Sequence, residues 1–335
     1  MKIRSLTILS ILFLCSCSFG QSSAALTEKQ RFELAAGYSR QHRGVSMLVM
    51  KGSTIVFEDD QNGYAKDLPW ILASGTKSFS GVMCAAAIED KLISSFDEKV
   101  ADTITEWKAD PRKSKITLRQ LLSLTSGIEA GQIGVVPSYA EAVTKPASYE
   151  PGTHFEYGPV PFQLFGEVMT RKLKARNETV MTYLKRRILD PIGMNISFWR
   201  KSDGQPLLPQ GVTLTAREWA KFGLLLKDRG KWKGKQIVSS KLLDQLTVGS
   251  KANPAYGLTF WLNANGIGPS GTDRANLSGD IGTKKIADTL DLFMAAGAGN
   301  QRLYIIPSQD LVVVRFGAFG DYDDRQFISR LLTGK

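Results

Sequence analysis

Apolar residues recur along this chain with two different periods, and the order in which those periods alternate outlines a fold. Leu26 to Ser39 carry helical spacing behind Thr27, whose hydroxyl suits an N-cap, with Glu28 beside it. Val45 to Met50 and Thr54 to Glu58 alternate about Lys51-Gly52-Ser53, the pattern of a β-hairpin. Val82, Met83, Ala85, Ala86 and Ile88 then predict a buried helix, and Ile93 to Val100 a turn with a short extended piece. Helical spacing returns over Leu118–Gly127, Pro161–Arg176, Thr179–Leu189, Thr215–Gly230 and Ser240–Leu246, with Gly127 expected to end the first and Asp190-Pro191 to break the third. Tyr256–Leu262, Leu303–Ile306 and Leu311–Phe316 read as strands, and Arg325–Leu332 as a closing helix.

Strands near both ends with helices between them predict an α+β fold. Its form is an antiparallel β-sheet flanked by N- and C-terminal helices, with an inserted mostly helical domain. The sheet part takes about 26–80 and 236–335, and the insertion about 81–235. No internal repeat interrupts this plan.

Composition changes the picture only at the start of the chain. An apolar fraction of 43% and a charged fraction of 22% are ordinary for a domain with a large core. Residues 1–24 differ: Lys2 and Arg4, the apolar run Leu6–Leu14 and the small residues Ser22-Ser23-Ala24-Ala25 read as a signal peptide, too short to span a membrane. Leu14-Cys15-Ser16-Cys17 also fits a lipoprotein signal that would lipidate Cys17 and attach the protein to a membrane; both readings stay open. Either one makes the protein exported, periplasmic or secreted, and cleavage after Ala24 leaves Cys84 as the one cysteine, with no disulfide. Without Lys2 and Arg4 the formal charge falls from +11 to +9, which favours an anionic cell envelope or simply solubility. No basic run is interleaved with aromatics, so nucleic acid is not an expected partner.

The chemistry is narrowed by what is missing. His42 and His154 have no partner histidine at metal-ligand spacing, so neither zinc nor any other cofactor is expected. There is no Gly-x-Ser-x-Gly elbow, which argues against a histidine-based α/β-hydrolase. Attention moves to Ser74-Gly75-Thr76-Lys77, the only Ser-x-x-Lys in the chain. Residues three apart share a helical face, so the Lys77 amine can reach the Ser74 hydroxyl and serve as its base. Burial at the start of an apolar helix would lower the pKa of that lysine. Tyr157 stands in a loop just before Pro159 and Pro161, which suit a first helical turn. The small residues Gly297-Ala298-Gly299 lead into a strand, where a backbone N–H could join that of Ser74 as an oxyanion hole.

Ser74-Gly75-Thr76-Lys77, Leu121–Gly127, Pro151-Gly152, Tyr157 and Gly297–Gln301, in this order, resemble the serine β-lactamase and penicillin-binding-protein superfamily. The resemblance is to its class C β-lactamase-like branch, which also holds esterases, D-amino-acid peptidases and 6-aminohexanoate-dimer hydrolases. It implies a β-lactamase/transpeptidase-like fold with Ser74 as acylated nucleophile, Lys77 as its partner and Tyr157 as the tyrosine of a Tyr-x-Asn motif. The N–H groups of Ser74 and Ala298 would form the oxyanion hole, with Gly297 and Gly299 binding substrate. It also implies that cationic Lys77 lowers the pKa of Tyr157.

Two departures bear on substrate. Pro159 replaces the motif asparagine, and Ala295-Ala296-Gly297 replaces Lys-Thr-Gly, removing the groups that would hold a carboxylate. Gly282-Thr283-Lys284 reverses that order too far upstream to substitute. The expectation is an exported serine hydrolase acting on a small ester, amide or peptide-like substrate. The alternatives are a penicillin-recognising D,D-carboxypeptidase or weak β-lactamase, and a non-catalytic cell-envelope binding protein.

Overall fold

Thr27 starts the first helix with a capping box: its side chain accepts the Gln30 N–H while Gln30 reaches back to the Thr27 backbone. The structure, a computed structural model, describes residues 25–269, 282–288 and 290–335. The expected leader, with Cys17 and its lipid, lies outside these residues.

Six strands make the main sheet: β1 (Gly44–Lys51), β2 (Thr54–Asp60), β3 (Trp261–Leu262), β4 (Phe293–Gly297), β5 (Gln301–Ile306) and β6 (Leu311–Gly317). Their spatial order is β3-β4-β5-β6-β1-β2, and every neighbouring pair is antiparallel. The N-terminal hairpin is thus zipped onto the end of the chain, with Val49 opposite Val313 and Lys51 opposite Leu311. This is the α+β sheet, closed by the two termini, that the alternation of periods predicts.

β5 and β6 are buried at every position because helices cover both faces. Arg315 of β6 reaches Ser39 of α1 (Glu28–Gln41), which packs beside the C-terminal helix Asp324–Thr333. Val312, of opposite parity and so on the opposite face, meets helix Ala216–Lys227, which carries Gly223. A Cβ on Gly223 would lie 2.5 Å from Val312 Cγ1 and 2.9 Å from Leu303 Cδ1, so glycine sets how closely that helix approaches the sheet. The helix falls within the stretch 81–235, yet it packs on β1, β5 and β6. The buried helix Ser78–Glu89 runs next to it in the core, Phe79 against Phe222.

Three segments depart from the sequence reading. The helix expected over Leu118–Gly127 stops at Leu122; Leu124 takes φ 60° and the Ser123 and Thr125 hydroxyls bond each other at 2.9 Å. Side-chain hydroxyls competing for local partners end the helix before the glycine does. Of the aromatic run Tyr256–Leu262 only Trp261–Leu262 joins the sheet, since the Gly257 N–H turns back to Phe260 O at 2.9 Å. Phe293–Gly297, read as the approach to a strand, is itself β4.

Filling the gap at Gly223 tests this packing. Gly223→Val should lower unfolding free energy by about 1–3 kcal/mol, the usual cost of overpacking a well-filled core, with an unchanged denaturant slope in urea titration.

Candidate active site

Ser74 sits in a tight 3₁₀ turn, Ala73–Lys77, between a short strand (Trp70–Ile71) and the helix Ser78–Glu89. The turn is entered through Ala73 at φ 46°. Gly75 backs onto the indole of Trp219, where a Cβ would come within 2.8 Å of Cζ2, so no side chain fits there. Trp219 is stacked in turn on Phe316 of β6, with ring centroids 5.7 Å apart. The Ser74 turn therefore rests on β6 through a rigid indole.

Lys77 is 4% exposed. Its Nζ donates to Ser74 Oγ at 2.9 Å and to the Pro209 carbonyl at 2.9 Å. It lies 4.9 Å from the ring centre of Tyr157 and 5.4 Å from that of Phe162. No carboxylate pairs with it among the described residues, and burial lowers its pKa from 10.5 to about 7. The two neutral acceptors and the two ring faces do not make up for the water lost on burial, and that desolvation is what favours the amine over the ammonium ion.

Tyr157 is placed by the segment where the predicted helix ended early. Leu124, Thr125 and Gly127 give their carbonyls to the loop ahead of the tyrosine: Glu156 N–H bonds Leu124 O at 3.0 Å, Gly152 N–H bonds Thr125 O at 2.7 Å and Ser148 N–H bonds Gly127 O at 2.8 Å. Gly158 follows because a Cβ there would lie 2.2 Å from Ala130 O. Pro159 then caps the helix Val160–Leu173. The Tyr157 ring stacks on Trp261 at 5.5 Å.

Burial pushes the Tyr157 phenol up to about 12, and the adjacent Ser74 hydroxyl, the charge of Arg302 and Trp261 pull it back only in part. This corrects the expectation that Lys77 lowers it. The lysine gives up its proton first and has no charge left to lend, so at neutral pH the phenol is a proton donor.

The turn Ala298-Gly299-Asn300 joins β4 to β5 where Gly297 faces Gln301. A Cβ on Gly297 would lie 2.0 Å from Leu72 O and 3.1 Å from Gly75 N, so this turn is pressed directly on the serine turn. Gly299 has φ 77°, which suits glycine. Neither the Ser74 N–H nor the Ala298 N–H is donated to an acceptor among the described residues. Ala295 and Ala296 are buried, and Gly282, at the head of the reversed triplet, abuts the Trp261 ring rather than Gly297.

The structure thus brings Ser74, Lys77 and Tyr157 together and sets the Gly297–Gly299 turn against them. Sequence reasoning missed Pro209, Trp219, Arg302 and Arg315, and reached Gln301 only as the end of the Gly297–Gln301 motif. A backbone carbonyl such as that of Pro209 leaves no mark in a sequence, although the loss of the motif asparagine at Pro159 poses the question of what replaces its amide. Two surface cavities of about 520 and 640 Å³ have none of Ser74, Lys77 and Tyr157 in their walls. Among the described residues no group of three His, Cys, Asp or Glu side chains is placed to hold a metal ion.

Comparison with known proteins identifies the family and the fold. Residues 25–317 match the family described as Beta-lactamase. The chain is 22% identical over 320 residues to a 6-aminohexanoate-dimer hydrolase of Paenarthrobacter ureafaciens, covering 84% of this chain and 74% of that protein. Among solved structures, a family VIII carboxylesterase superposes with TM-score 0.67 at 17% identity, covering 92% and 97% of the two chains. A penicillin-binding protein homolog from Caulobacter crescentus gives TM-score 0.68 at 16% identity, covering 91% and 96%. The chain belongs to the beta-lactamase family, and hydrolases are among its relatives.

The buried amine makes stability depend on pH in a defined direction. Between pH 7 and about 10.4 the unfolded chain holds a proton on Lys77 that the folded chain lacks, so the lysine's contribution to stability rises with pH across that window and is lost as pH falls to 7. The unfolding free energy of wild type minus that of Lys77→Met should therefore climb from pH 7 to 10 in parallel denaturant titrations; a flat difference would mean that the lysine is not held neutral.

Proposed function

We propose that this protein is a serine hydrolase that cleaves a small ester or amide through an acyl-enzyme on Ser74. The observation that carries the reading is the 2.9 Å contact between Ser74 Oγ and a buried Lys77 amine whose pKa lies near 7. A neutral amine there is a base of matched strength for the serine proton.

As Ser74 Oγ bonds to the substrate carbonyl carbon, Lys77 Nζ takes its proton and the carbonyl electrons move onto oxygen. The N–H groups of Ser74 and Ala298 receive the oxyanion. Collapse of the intermediate breaks the bond to the leaving group, which takes the phenolic proton of Tyr157. Lys77, 4.9 Å from the tyrosine ring, can restore that proton. Water then adds to the acyl carbon with Lys77 and Tyr157 again moving the protons, and the acid leaves from Ser74.

The substrate class follows from β4. With Ala295-Ala296-Gly297 at this place, the strand offers no side-chain cation or hydroxyl for a carboxylate beside the scissile bond. This favours simple esters and amides over penicillins and peptidoglycan stems. Similarity to a 6-aminohexanoate-dimer hydrolase and to a family VIII carboxylesterase supports the same class. Export rests on the leader 1–24, with attachment through Cys17 as the anchored form.

Ser74→Ala should abolish turnover of p-nitrophenyl esters and labelling by a fluorophosphonate. Lys77→Ala and Tyr157→Phe should each slow acylation by at least ~10²-fold. In wild type, log kcat/KM should rise with pH to a plateau above about 7, without a descending limb before pH 10, because the acid stays protonated. Persistent labelling by a fluorescent penicillin would instead favour a D,D-peptidase, and a wild-type Ser74 inert to fluorophosphonate a binding protein.

A further inference from the structure

Five consecutive carbonyls of the Ala298 turn accept hydrogen bonds from three buried side chains. Arg302 Nη1 donates to Gly297 O at 3.4 Å and to Gln301 O at 3.0 Å. Gln301 Nε2 donates to Ala298 O at 3.2 Å and to Gly299 O at 3.0 Å. Arg315 Nη1 donates to Asn300 O at 2.8 Å. Gln301 also locks onto β6, donating to Gly317 O at 2.7 Å and accepting the Gly317 N–H at 3.0 Å. An ordinary hairpin turn leaves such carbonyls to water. With all five committed, the peptide planes cannot swing, and the Ala298 N–H, which meets no acceptor among the described residues, is fixed in direction.

Among the described residues the two arginines behind the turn differ in their partners: Arg302 has a carboxylate and Arg315 has none. Arg302 grips Asp324 in a fork, Nε to Oδ1 at 2.8 Å and Nη2 to Oδ2 at 3.1 Å, and Tyr304 donates to the same carboxylate. Arg315 meets neutral groups: Ser39 Oγ at 3.0 Å, Ser39 O at 3.5 Å, His42 O at 2.7 Å, Asn300 O, and the ring of Tyr322 at 3.9 Å. Both guanidinium groups are fully buried. Among the described residues no carboxylate pairs with Arg315, so its charge is enclosed beneath the turn without a counter-ion there, a costly arrangement for a scaffold alone.

We propose that Arg315 is a positioning residue for the reaction: with Gln301 and the Arg302–Asp324 pair it fixes the Ala298 turn, and its unpaired charge favours the oxyanion over the neutral bound substrate. The proposal rests on the serine-hydrolase reading above. It adds to that reading a source of positive potential from beneath the sheet, acting through the backbone. Because the benefit appears only as negative charge develops, it should show in kcat and leave KM nearly unchanged.

The test uses the full protein, a p-nitrophenyl ester and an arylboronic acid, which adds to a serine hydroxyl as a tetrahedral anion. Folding of each variant is checked by thermal melting. Arg315→Met should lower kcat by about 10²-fold with KM within about threefold, and boronate affinity should fall by a matching factor. Arg315→Lys, which keeps the charge without the fork, should recover a large part of both. Gln301→Met, at unchanged charge, should lose about tenfold in kcat and boronate affinity together.

A folded Arg315→Met with kcat and boronate affinity within about threefold of wild type overturns the proposal. Loss of kcat with boronate affinity intact, and no rescue by lysine, overturns it in favour of a purely structural role. If Arg315→Met does not fold, Gln301→Met and Arg315→Lys decide on the same criteria. If wild type binds no boronate and Ser74→Ala retains turnover, both readings fall together; if Ser74→Ala is inert and the Arg315 variants are unchanged, only this one falls.

Discussion

An amine enclosed where a positive charge finds no counter-ion is the constraint around which the site is arranged. Lys77 has two neutral oxygen acceptors and two ring faces, and the second of those acceptors, Pro209 O, must be held still. The chain around it is tied on every side. Tyr139 donates to Pro206 O at 3.0 Å, Trp199 to Leu207 O at 3.0 Å, Gln163 accepts the Leu208 N–H at 3.2 Å, and Thr76 accepts the Val212 N–H at 3.2 Å. Helices distant in sequence thus serve one carbonyl. Without that tether the lysine would be free to reach water and regain an ordinary pKa.

The parts of the site legible in the sequence are those whose chemistry depends on local spacing. Ser74 and Lys77 lie one helical turn apart, and the hairpin Val45–Glu58 and the Thr27 cap follow from local pattern. Tyr157 was visible through family resemblance, because a tyrosine before a helix is common. What stayed hidden is long-range. Arg302 and Arg315 look like solvent-facing charges in strands, yet both are enclosed, since each finds its acceptors in backbone brought in from elsewhere in the chain. Leu124 gave no warning that it would adopt φ 60° and end a helix. The acidity of Tyr157 was misjudged for a related reason: a charge used to explain one shift had itself been removed by burial.

The two departures from the family pattern also have physical accounts. Gly158 must lie flat against Ala130 O, and the proline after it starts a helix at once, so the asparagine amide gives way to a helix start. On β4 the charge that Lys-Thr-Gly would place at the surface is absent, while guanidinium groups lie buried under the neighbouring strands. The side chains of β4 are therefore neutral, and the buried positive charges lie on β5 and β6.

Gly297 touches Leu72 although the two lie toward opposite ends of the chain. A polypeptide emerging from its N-terminus makes the serine turn early, but has no Ala298 turn to set against it until β4 and β5 exist, and no sheet to hold that turn until β6 pairs with β1. Such distant pairings form late because loop closure must precede their reward. On the proposed reading, Ser74 is therefore made long before the backbone that would complete its site, which waits for the C-terminal strands.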